Sequence, residues 1–237
     1  MDIRFPEGFD ESGAEKVKDK LTFVDFFQMS EPEKALFRER VKQSNGAVQV
    51  FMHPFYEVHN SGEPITLKDL TRVNRVNDGV NGALSTGNTQ GDKPPLIIME
   101  EQSNLEKTKR LLIKRQQNYI QNDVVMVPTG EGKSIPRALP ERQPRPGQSS
   151  NDFIRENWQE FFRQLKDLGV TAVIIGGSFF WADGRGGNKD GTGTGCVGSA
   201  MKSFDEGGFK VQISDFTNPD SRERVLADEK SDFKKYL

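Results

Sequence analysis

The chain offers one cysteine, two histidines, two tryptophans and three tyrosines in 237 residues. The lone Cys196 excludes an intramolecular disulfide and fits a reducing compartment. So few histidines and cysteines argue against a structural zinc site. Asp183, Asn188 and Asp190 lack the spacing of an EF-hand loop, so neither a metal nor another cofactor is expected. No apolar run approaches the ~20 residues that span a bilayer. The start of the chain, Met1-Asp2-Ile3-Arg4-Phe5-Pro6, has no apolar signal-like core. A formal charge of −2 gives no reason to expect affinity for nucleic acid or a membrane surface. The expectation is a cytoplasmic protein with a small-molecule ligand, no nucleic-acid partner and no membrane partner; homo-oligomerisation is left open.

What is present suits a folded domain. Hydrophobic residues make up 34% and charged residues 29%, but 17 phenylalanines supply a core. Strands are expected over 47–52, 94–101, 122–127, 172–175 (closed by Gly176-Gly177) and 209–215. Helices are expected over 67–84, 103–119, 151–168 and 196–204. The third is the clearest: Ile154, Trp158, Phe161, Phe162, Leu165 and Leu168 recur on one helical face. Alternating strands and helices predict an α/β protein with a mostly parallel, five- or six-stranded sheet in a three-layer α/β/α sandwich. Residues 1–45 are expected to form a helical N-terminal extension, 46–216 the α/β core domain and 217–237 a helical C-terminal tail. The proline-bearing stretch 129–150 reads as a lid or a disordered segment.

Ligands of such sheets gather at the strands' carboxyl ends, where the winding reverses. If strands 47–52 and 172–175 are neighbours, His53, Tyr56 and Glu57 converge with Gly176, Gly177, Asp183, Arg185 and Cys196. Cys196 opens a helix, whose free N–H groups favour a thiolate and can hold an oxyanion. The same residue also fits a core stripe with Ala200 and Phe204. Gly193-Thr194-Gly195-Cys196-Val197-Gly198 spells a dinucleotide-type glycine pattern, but residues 178–192 separate it from the preceding strand. Anion binding at that helix start remains open to Gly195 and Val197. Pro128-Thr129-Gly130-Glu131-Gly132-Lys133-Ser134 is not a Walker A loop, because Val127 stands where its first glycine belongs. Lys133 is kept as an anion-binding candidate. The basic residues of helix 103–119 read as a solvated outer face.

Gly176, Cys196-Val197, Ser199-Ala200, Gly208-Phe209-Lys210-Val211 and Asp215 together resemble the C-terminal half of isochorismatase-like cysteine hydrolases. That resemblance implies the same α/β fold and hydrolysis of a small amide or ester-like substrate by Cys196. Its general acid or base would be His53 or Glu57, with Gly176, Gly177, Arg185, Gly195, Val197 and Lys133 around the substrate. The position of the family's catalytic aspartate falls on Phe51, and that of its lysine on Pro128. The alternative is a catalytically inactive α/β ligand-binding or assembly protein with Cys196 in its core.

Overall fold

A computed structural model describes residues 22–55, 74, 94–115, 123–130, 134–141, 143–177, 195–214 and 232–236. Six strands form one sheet: β1 Thr22–Asp25, β2 Ala47–Met52, β3 Leu96–Glu101, β4 Asp123–Thr129, β5 Ala172–Gly177 and β6 Lys210–Ile213. Their order is β1-β4-β3-β2-β5-β6, and every pairing is parallel. The helices are α1 Glu31–Gln43, α2 Leu105–Arg115, α3 Ser150–Asp167 and α4 Cys196–Glu206.

Side-chain alternation along the strands assigns the helices to two faces. Val48, Val50 and Met52 of β2 join Ile97 and Met99 of β3 and Val125 and Val127 of β4 in the main core. Phe37 and Val41 of α1, Trp158, Phe161 and Phe162 of α3, and Val197, Ala200 and Phe204 of α4 pack there too. The opposite residues, Phe51, Leu96, Ile98, Val124 and Met126, form a second core with Leu105 and Leu112 of α2. Helices therefore cover both faces, as the α/β reading expects. β3 is buried along its whole length, which explains its unbroken apolar run.

The local signals account for the element ends. In α1 the Ser30 N–H donates to Glu33 Oε2 at 2.7 Å, closing a capping box. In α3 the Asp152 N–H donates to Ser149 Oγ at 3.1 Å, an N-cap. Gly169, at φ 85°, ends the turn after α3.

Two segments differ from the sequence reading. The stretch 1–45 contributes α1 but also β1, an edge strand paired with β4; only four residues long, β1 has no alternation long enough to betray it. In the C-terminal tail, Asp232–Tyr236 forms a 3-10 turn. Phe233 and Tyr236 are buried in the main core, and the Tyr236 hydroxyl donates to Asp205 Oδ2 at 2.8 Å. The helix expected over 67–84 lies outside the described residues apart from Asn74, as do 215–231.

Phe161 anchors the aromatic layer, its ring 5.0 Å from Phe26 and 6.1 Å from Phe204. Truncating it removes a fully buried ring. Phe161→Ala is expected to cost about 3–5 kcal/mol, read as a lower urea midpoint; an unchanged midpoint contradicts this core assignment.

Candidate functional site

β2, β3 and β4 run outward to one side, and β5 and β6 lie on the other side of β2. The winding therefore reverses between β2 and β5, whose register pairs Met52 with Gly177. That is where a doubly wound sheet opens its crevice. The adjacency assumed for the candidate residues of the first and fourth expected strands is thus observed.

The buried polar residues concentrate at this carboxyl end. His53, Glu100, Glu101, Asn104, Thr108, Thr129 and Ser214 are all at least nine-tenths buried, and each lies at, or within a few residues of, a strand's end or in the first turn of α2. Burying such groups is costly unless they are hydrogen-bonded. Here they satisfy one another. Glu100 accepts from the Glu101 N–H at 2.9 Å and from the Thr108 hydroxyl at 2.8 Å. Glu101 accepts from the Asn104 amide at 3.1 Å. His53 Nε2 lies 3.1 Å from Thr129 Oγ1.

Strand alternation separates the two carboxylates. Glu101 follows Ile97 and Met99 toward the face of α4, while Glu100 follows Leu96 and Ile98 toward α2. Thr129, which pairs with Glu101 in register, shares the α4 face with Val125 and Val127. The His53–Thr129 contact therefore spans the end of β3 on the side where Glu101 lies.

His53 itself has φ 43°, a left-handed conformation that costs a non-glycine residue energy. Its N–H still donates to the Met99 carbonyl at 2.9 Å, so the ladder extends one residue past β2 before the chain turns.

Cys196 is the first residue of α4, behind the N-cap Gly195. A glycine there has no side chain to satisfy the first-turn N–H groups. Burial pushes the Cys196 thiol above its ordinary range; a hydrogen bond with the Ser134 side chain opposes that, and the charges of Glu101 and Glu100 add to the rise. Cys196 also packs against the main core, as its stripe with Ala200 and Phe204 suggests. Its polar neighbours are therefore Ser134 and the β3 carboxylates. The sequence reading had expected His53 or Glu57 in that place; His53 is engaged with Thr129, and Glu57 lies outside the described residues.

Gly176 and Gly177 have structural reasons to be glycine. A Cβ on Gly177 would stand 2.3 Å from the Met52 carbonyl and 2.9 Å from Val197 Cγ2, at φ 147°. One on Gly176 would meet the Phe51 ring at 2.9 Å. These close approaches seat the start of α4, including buried Val197, directly on the β2–β5 junction. Lys133 and Arg185 lie outside the described residues.

Sequence reasoning missed Glu100, Glu101, Thr129 and Ser134. The one signal was two acidic residues closing the apolar run 96–99.

Among the described residues, no group of three or more His, Cys, Asp or Glu side chains is arranged to hold a metal ion, and no helix is long and apolar enough to cross a membrane. A hollow of about 290 Å³ lies elsewhere, between the turn Phe26–Gln28, α1 and α3. Its Lys34 pairs with Glu31 at 2.7 Å and its Arg163 with Glu160 at 2.7 Å, so those cations are already engaged. No family model, no curated protein and no solved structure matches this chain.

Because burial raises the thiol, folding favours its protonated form. The linked stability is full below the free-thiol pKa of about 8.5 and declines as pH rises through the folded value. Native Cys196 should therefore be alkylated with a pH midpoint above that of the same thiol in urea. A native midpoint at or below the unfolded one contradicts the assignment.

Proposed function

We propose that the chain is a cysteine-dependent hydrolase, of the isochorismatase-like kind that its C-terminal half resembles, acting on a small amide or ester-like substrate. The observation that carries the reading is the seating of Cys196 at the start of α4, beside Glu101 of β3, at the reversal of the sheet. A neutral thiol next to a carboxylate needs no preformed thiolate. Its proton passes to Glu101 as sulfur bonds to the substrate carbonyl carbon. The first-turn N–H groups of α4 then face the developing oxyanion. The tetrahedral intermediate collapses, the carbon–nitrogen or carbon–oxygen bond breaks, and the amine or alcohol leaves with the proton from Glu101. Water then attacks the thioester, Glu101 takes one of its protons, and the carboxylic acid and free thiol are regenerated. Glu101 fits the role better than Glu100, which is held on the opposite face by Thr108.

The second reading is a ligand-binding or assembly protein in which Cys196 is core. The packing of Cys196 against the main cluster and its burial-raised thiol favour it.

One experiment separates the two. The protein is incubated with aryl amides and esters of small carboxylic acids, and both product release and intact mass are followed. The hydrolase reading expects turnover, an acyl adduct on Cys196 and loss of both in Cys196→Ala. Glu101→Gln should lower the rate about 10²–10⁴-fold. Absence of any turnover or adduct across the panel selects the binding protein.

A further inference from the structure

The stretch 129–150 reads from its sequence as a lid or a disordered segment, yet its described residues are tied down at several points. After β4 the chain doubles back. Thr129 and Pro136 form an antiparallel bridge. The Gly130 N–H donates to the Ile135 carbonyl at 3.0 Å, and the Arg137 N–H to the Pro128 carbonyl at 2.9 Å. Further on, Ala138 packs against the main core, and the Leu139 N–H donates to Asn157 Oδ1 at 3.0 Å. Asn157 is a buried side chain of α3, and its amide is held in turn by the Phe153 carbonyl at 2.9 Å. The segment is thus a strap fixed to β4 at one end and to α3 at the other. Ser134, next to the fixed turn, makes a side-chain hydrogen bond with Cys196.

We propose that Ser134 is a positioning residue of the cysteine site: its hydroxyl donates to Cys196 Sγ, fixes the direction of the sulfur and steadies the negative charge formed as the thiol proton leaves. This inference rests on the hydrolase reading for its purpose, though the contact can be tested without turnover. The groups acting on the sulfur from the surrounding elements are Ser134 on the strap and Glu101 and Glu100 on β3. Only Ser134 among them favours the thiolate. Hydrogen bonds to a charged partner are stronger than neutral ones, so the donor matters most at the moment of ionisation.

The test is the rate of iodoacetamide alkylation of native protein across pH, in wild type, Ser134→Ala, Ser134→Gly and Ser134→Thr. Deleting the hydroxyl should slow alkylation at neutral pH about tenfold. The alkaline plateau should hold or rise, because a more basic thiolate is the better nucleophile. Threonine, which keeps the hydroxyl, should restore the neutral rate. Circular dichroism and urea midpoints identify the deletion variants that remain folded, and two deletions of different size guard against loss of one. An unchanged neutral rate overturns the proposal, and so does a parallel change at all pH values, which would mean altered access only. If the alkylation shift appears while no acyl substrate turns over, the positioning role stands and the hydrolase reading falls.

Discussion

The site depends on burying two adjacent carboxylates at the end of the sheet's interior strand. Glu100 and Glu101 close β3, which has β2 on one side and β4 on the other. Removing charged groups from water costs several kcal/mol per ion unless hydrogen bonds replace the lost solvation. Thr108, Asn104 and the Glu101 N–H supply such bonds. α2 is therefore part of the site's support: its N-terminal turn brings Asn104 and Thr108 back over the end of the strand from which it departs. The pleat then sends one carboxylate to each face. Glu100 is spent on holding α2, and Glu101 is delivered to the side of α4.

That division explains why the remaining polar groups lie where they do. α4 can start beside Glu101 only because Gly177 lets its first turn settle on the β2–β5 junction, where any Cβ would strike the Met52 carbonyl. The same closeness buries Cys196 and keeps its thiol protonated. His53 and Thr129 close the end of β3 from its two neighbouring strands. The strained backbone of His53 is the local cost of turning the chain inward at that point.

Much of this arrangement was legible in the chain. The i, i+4, i+7 spacing from Ile154 to Leu168 is a one-face helix, and it packs as one. The run Ala172-Val173-Ile174-Ile175, the glycine pair after it and the helix from Cys196 follow from residue type and punctuation. The carboxylates were not legible. In sequence, Glu100 and Glu101 look like polar residues ending a strand at the solvent. Only strand order, a long-range property, makes β3 interior and its end buried. Ser134 was hidden for a similar reason. Four prolines between 136 and 146 forbid a helix but do not reveal the bridge to Thr129 or the tie to Asn157 that bring the strap across to Cys196. β1 escaped because a four-residue edge strand beside Phe26 and Phe27 carries no period of its own.

The central claim is electrostatic: Glu101 stands close enough to the Cys196 sulfur to oppose its ionisation and to receive its proton. Thiolate absorbance near the ultraviolet edge, titrated in the native protein with Cys196→Ala as blank, measures it directly. Burial remains in Glu101→Gln while the opposing charge is removed. The thiolate should therefore form at lower pH in the glutamine variant than in wild type. A midpoint that stays in place, or moves upward, would place Glu101 out of reach of the sulfur and contradict the account.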